Sequence, residues 1–205
     1  MIHLERLTKP DVLAKNEAKW TENFIQSGKN RPSSSKYGHP EIKEALASIS
    51  ANKCFYSEIL LSPISDAQID HYVEVSEDKT KAFDWNNLYF THKNCNIGKS
   101  PNKCIPVSEC LDPFTDSNEE IEKHLYFEDE MILSDTEKGK RTIQKYNLNS
   151  DYFNLQRSRT LNKFQQAIVL CLQDKLSKEE VIRFANSDRP FSLMIRLYLK
   201  KHNIL

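Results

Sequence analysis

Apolar residues recur at helical spacing at both ends of the chain and lose that period in the middle. Leu13, Trp20 and Phe24 follow Pro10 on one face of a predicted N-terminal helix, proline being suited to a first helical turn. The stretch from Gly28 to Gly38, with Arg31-Pro32-Ser33-Ser34-Ser35 inside it, is expected as a loop. Ile42, Leu46 and Ile49, spaced i, i+4 and i+7 after Pro40, predict a second helix. Toward the C-terminus, Leu161, Phe164, Ile168, Cys171 and Leu172 mark the core face of a long helix. Ser177-Lys178-Glu179-Glu180 is a capping box for the next one, which Asp188-Arg189-Pro190 ends. Phe191 to Lys201 predicts the last helix. The middle reads as a strand ending at Asp70-His71, a long loop, a short strand from Leu88 to Thr91, and a helix starting near Lys93. The expected fold class is α+β, mainly helical with a central ββα unit. Three regions follow: 1–53 helical, 54–106 the ββα core, and 107–205 an acidic connector with a C-terminal helical region.

Composition narrows the class without naming the chemistry. A chain of 205 residues with 39% hydrophobic and 28% charged side chains suits one compact domain or two small ones. Met1-Ile2-His3-Leu4-Glu5-Arg6 lacks the apolar core of a signal peptide, and the longest apolar run is only Ala167 to Leu172. A cytoplasmic protein with no membrane partner is expected. Five cysteines, an odd number, argue against a disulfide framework and leave metal ligands or buried thiols. The net charge is zero, yet Asp112 to Glu137 carries ten acids against Lys123 alone, a local −9. That stretch is expected as a solvated loop, with a patch that steers nucleic acid or docks a partner as the sharper reading.

The chemistry-bearing residues collect in the middle: Asp70-His71, then Asn87-Leu88, then Asn96-Ile97-Gly98-Lys99. A strand pair clamped over one helix sets the end of the first strand opposite the start of that helix. Asp70 and Asn96 are then placed to ligate one hard cation, Mg²⁺ or Mn²⁺, through oxygen. His71, beside that cation and not on it, is placed to take a proton from water. Lys99 lies three residues from Asn96, on the same helix face, and is the candidate phosphate contact.

These residues, in this order and with Asn96 nine residues after Asn87, resemble the HNH (ββα-metal) endonuclease family. The resemblance is strongest over Cys54 to Pro106. It implies that His71 is the general base, that Asp70 and Asn96 hold the catalytic ion, and that Asn87 braces the loop that aims His71. Lys53-Cys54-Phe55-Tyr56, Phe83-Asp84-Trp85-Asn86-Asn87-Leu88, Leu111-Asp112-Pro113, His124-Leu125-Tyr126-Phe127 and Leu148-Asn149 are similar to the small HNH nucleases of retron-associated and Septu-type anti-phage systems. That narrower resemblance implies an ABC-type or SMC-like ATPase partner, and admits a retron reverse transcriptase with its msDNA. The substrate is nucleic acid, with DNA favoured and RNA open.

Two departures stand out. Many HNH proteins hold a structural Zn²⁺ between two Cys-x-x-Cys knuckles, which here read Cys54-Phe55-Tyr56-Ser57 and His92-Lys93-Asn94-Cys95. Cys54, His92 and Cys95 remain as residual zinc ligands, and Cys104 or Cys110 completes a set only if the fold brings one close. Glu74 stands where relatives commonly carry proline. His3, His39, His124 and His202 read as surface or capping residues, and Trp85, Tyr89 and Phe90 as hairpin core. Lys138, Lys140, Arg141, Lys145, Arg157, Arg159 and Lys163 read as a solvated face, with a phosphate track as the alternative. Two functions compete: an HNH endonuclease, and a non-catalytic zinc-knuckle adaptor for nucleic acid or an ATPase.

Overall fold

The computed structural model describes residues 1–61, 67–99, 102 and 104–202. Helix α1 (Asp11–Gln26) starts behind Pro10 and buries Leu13 and Phe24, while Trp20 packs its ring edge against Phe83 at 5.6 Å. Residues 28–38 are not all loop: Ser34–Tyr37 form a single helical turn, α2. Helix α3 (Pro40–Ile49) buries Ile42 and Leu46, and the His39 side chain caps it by accepting from the Glu41 N–H.

Strands β1 (Ala67–His71) and β2 (Leu88–His92) pair antiparallel, with Asp70 opposite Tyr89 and His71 opposite Leu88. The second strand runs to His92, one residue beyond the expected end, and passes directly into helix α4 (Lys93–Lys99). Every residue of β2 is buried, because one side of the hairpin meets α4 and the other meets α3 and the N-terminal segment. Arg6 closes that second side, donating to the Leu88 and Asn86 carbonyls while its guanidinium lies 3.7 Å from the Phe114 ring centroid. Gly98 lets α4 approach the chain at Tyr146 and Asn147: a Cβ there would stand 2.7 Å from the Asn147 Cβ.

The acidic segment is folded and is not a solvated loop. It forms α5 (Asn118–His124) and the hairpin β3 (Tyr126–Glu128) with β4 (Met131–Leu133), burying Ile121, Leu125 and Ile132 beneath its carboxylates. Helices α6 (Glu137–Lys145), α7 (Asp151–Leu172), α8 (Lys178–Ile182) and α9 (Ser192–Lys201) complete the chain. The Ser177/Glu180 capping box is formed as expected. The core face of α7 ends earlier than its periodicity suggests: Leu161 and Phe164 are buried, Cys171 is half-buried, and Leu172 is exposed.

The basic stretch is not a continuous solvated face. Lys145 is buried with its ammonium on the Ile105 carbonyl, and Arg157 is buried with its guanidinium on the Leu148 carbonyl and the Asn149 amide oxygen. Core residues from all three regions of the chain pack into one cluster. Among the described residues, no helix is long and apolar enough to cross a membrane.

Candidate active site

Side chains two apart on a strand share a face, as do side chains three apart on a helix. Gln68 and Asp70 therefore present to α4 together, and α4 answers with Asn96 and Lys99. Asn96 donates its amide to the Gln68 side-chain oxygen at 2.8 Å. Lys99 places its ammonium 2.9 and 2.8 Å from the two Asp70 oxygens. The same ammonium lies 2.7 Å from the His71 carbonyl, 3.4 Å from that of Tyr72, and 3.4 Å from a Glu74 carboxylate oxygen. Five oxygens thus face one buried positive charge. The Tyr56 hydroxyl completes Asp70, donating at 3.0 Å. Burial pushes the Asp70 carboxyl up from its ordinary value, against the opposing pull of Lys99.

This placement corrects the reading of Lys99. The candidate phosphate contact is 1% exposed, and its ammonium is taken up by Asp70, the His71 and Tyr72 carbonyls and Glu74.

His71 ends β1, where the chain leaves the sheet for the long loop 72–82. Its Nε2 lies 2.9 Å from the Ala82 carbonyl. Burial pushes its basicity down, with the Ala82 hydrogen bond and Asp70 opposing. Asn87 ties the loop from both ends: its Oδ1 accepts from the Val73 N–H at 2.7 Å, and its Nδ2 donates to the Val73 and Lys81 carbonyls at 3.0 and 3.1 Å. Asn87 is itself buried and does not line the cleft. Asp70, His71, Asn96 and Lys99 do line it, a space of about 560 Å³ that they share with Glu74, Tyr37 and residues 30–32.

Tyr56, Gln68 and Tyr37 are participants to which sequence reasoning gave no role, and Glu74 was noted only as a departure from relatives. Gln68 had a signal, being two before Asp70 on one strand face. Tyr56 and Tyr37 had none, since nothing in their spacing ties them to Asp70 or His71.

The residual zinc knuckle is placed elsewhere. Cys54 and Cys95 are buried with their sulfurs 3.8 Å apart, and the Ser57 N–H points at the Cys54 sulfur at 3.5 Å. Burial pushes the Cys54 thiol up, but hydrogen bonds from Cys95, from Ser57 and from the His92 backbone outweigh it and bring it to about 6. His92 turns its ring to stack on Tyr152 at 5.0 Å, and its Nδ1 accepts from the Asn94 N–H. Cys110 donates to the Pro106 carbonyl and Cys104 is exposed. Among the described residues, no three His, Cys, Asp or Glu side chains are gathered as a metal cluster, here or at the cleft. Of the scattered histidines, His3 meets the Asp116 carbonyl and His124 bridges Thr136 and Glu120.

No family model matches the chain. Over 150 residues, 73% of its length, it is 31% identical to a Septu protein PtuB from Bacillus thuringiensis. The match covers 55% of that protein, so the chain spans about half the length of this distant homologue.

Proposed function

We propose that the chain is a metal-dependent HNH-type endonuclease and the nuclease component of a Septu-type anti-phage system, working with an ATPase partner. The observation that carries this reading is the hydrogen bond of His71 Nε2 to the Ala82 carbonyl, in the cleft that also holds Asp70 and Asn96. A carbonyl only accepts, so Nε2 carries the ring proton and Nδ1 is left as the basic nitrogen. Burial keeps the ring neutral near physiological pH. A neutral imidazole held in one tautomer is equipped to take the proton of a water that attacks phosphorus, a contribution of roughly 10²–10⁴-fold. Asn87 and Ala82 hold the ring in place, one through the loop and one directly.

The oxygen set around the Lys99 ammonium tests whether a divalent ion suits this site. Asp70, the His71 and Tyr72 carbonyls and Glu74 are hard oxygen donors already arranged about a cation, and Asn96 lines the same cleft. They fit Mg²⁺ or Mn²⁺, with Asp70 and Asn96 as the side chains that would hold it. When bound, the ion supplies charge neutralisation on the phosphoryl and leaving oxygens. For that to happen, Lys99 would have to give up Asp70.

The competing reading, a zinc-knuckle adaptor without catalysis, draws on the Cys54–Cys95 pair. It offers no reason for the paired Gln68–Asn96 and Asp70–Lys99 contacts or for the fixed tautomer of His71. The deciding experiment incubates plasmid and total RNA with the protein and its neighbouring ATPase, with and without Mg²⁺. Cleavage is expected only with metal. His71→Ala is expected to stay inactive at every metal concentration, whereas Asn96→Ala recovers partly as Mg²⁺ or Mn²⁺ is raised. Identical metal titrations for the two variants would remove the distinction between base and ligand.

A further inference from the structure

The cleft takes part of its wall from outside the ββα unit: Asn30, Arg31 and Pro32 from the α1–α2 connection, and Tyr37 from α2. Tyr37 is half-buried and turns its ring edge toward the His71 imidazole, with centroids 4.9 Å apart and planes at 71°. The connection is pinned in place by two contacts. Lys79, in the loop that also supplies Ala82, donates to the Lys29 carbonyl at 3.0 Å, and Lys36 lies over the Trp20 ring at 5.5 Å. The position of residues 29–32 relative to His71 is therefore set through the same loop that fixes the imidazole.

Nucleic acid enters any such cleft as a phosphodiester anion, so the charge of the lining decides what holds it. Two of the described lining residues are positive, Lys99 and Arg31. Lys99 is 1% exposed and held by Asp70. Arg31 is exposed, and among the described residues it has no carboxylate partner. It lies close enough to Tyr37 for its charge to oppose the upward push that burial gives the Tyr37 phenol. A guanidinium at the lip also matches the geometry of a phosphate, to which it donates two parallel hydrogen bonds.

We propose that Arg31 is the phosphate-binding side chain of this cleft, holding a nucleic-acid phosphodiester against His71 in the role that Lys99 is too deeply buried to fill. The proposal rests on the nuclease reading, and it assigns a binding residue that lies outside the ββα unit altogether.

Binding and cleavage test it separately. In a His71→Ala background, a short fluorescein-labelled oligonucleotide is titrated at salt concentrations from about 50 to 200 mM. Adding Arg31→Ala is expected to weaken binding roughly tenfold, as loss of a charged hydrogen bond does, and to lower the slope of log affinity on log salt by about one. Arg31→Lys is expected to keep that slope and lose only part of the affinity, since it keeps the charge and loses the fork. Thermal unfolding should not change, because Arg31 is exposed. An unchanged salt slope in Arg31→Ala overturns the proposal, and so does absence of salt-dependent binding by the parent at the low end. If no cleavage is found with metal and the ATPase partner while the Arg31 slope shift stands, the nuclease reading falls and the phosphate site remains.

Discussion

A lysine ammonium in a nest of five oxygens is a cation site with its own internal cation. Lys99 and Asp70 are 1% and 5% exposed on their side chains, a depth at which either charge alone is costly. Removing one partner of a buried ion pair typically costs about 3–5 kcal/mol, because the other is left uncompensated. Lys99→Met is therefore expected to be markedly destabilised in the presence of a chelator. Mg²⁺ or Mn²⁺ then has an unopposed Asp70 to bind, so metal should raise the unfolding temperature of the variant more than that of the parent. Differential scanning calorimetry with and without metal reads this directly, and equal metal-induced shifts would mean that Lys99 does not compete for the site. His71 carries a second prediction at this scale. Its pKa lies below the ordinary 6.5, chiefly from burial, and only the neutral ring is a base. Cleavage should accordingly fall on the acid side as pH drops through that lowered value, and be flat across neutrality. A pH–rate profile whose acid limb lies above pH 7 would show that the limiting group is not this imidazole.

At the scale of elements, the site depends on how the loop 72–82 is tied to the start of β2. Asn87 makes three hydrogen bonds to that loop while buried, and an alanine there leaves the Val73 N–H and two carbonyls to find other partners. Each unsatisfied buried group costs about 1–3 kcal/mol. Asn87→Ala should lower both unfolding temperature and cleavage, while Asn96→Ala, half-exposed on α4, should lower cleavage at little cost to stability. Circular dichroism melts beside cleavage assays separate the two, and an Asn87→Ala protein with parental stability would deny the brace. The hairpin and α4 were legible in the sequence from the strand ending at Asp70-His71, the short apolar strand from Leu88 and the helix start near Lys93. The acidic segment was not, because ten carboxylates masked Ile121 and Leu125, four apart and both fully buried. Its helix is the kind acids favour: Ser117 caps α5, and Glu119 and Glu120 occupy the first turn, where the helix dipole welcomes negative charge. The fates of Lys99, Lys145 and Arg157 were equally hidden. Their partners are carbonyls and carboxylates that only the folded chain brings near, and residue type alone assigns long basic side chains to the surface.

The whole molecule has little general attraction for nucleic acid. Its net charge is zero, and much of its basic stretch is spent internally: Lys138 on Asp116, Arg141 on Glu109, Lys145 and Arg157 on buried carbonyls. Opposing charge stays outside, since Glu128 and Asp129 are exposed at the tip of the β3–β4 hairpin. Non-specific affinity for nucleic acid is mainly electrostatic and collapses with salt, so one guanidinium at a cleft lip holds a phosphate only weakly at physiological ionic strength. Something else must bring substrate to His71. The distant homologue is a Septu protein of which this chain matches about half, and on the proposed function an ATPase partner would supply that affinity. The isolated protein should therefore cut slowly or not at all at physiological salt, and co-expression with the ATPase should give a stable complex that cuts with metal. Light scattering of the co-purified proteins, set against nuclease assays of each alone, measures both halves of the claim. Vigorous, specific cutting by this chain alone, with no association on co-expression, would sink it and leave a free-standing endonuclease whose own surface supplies the grip.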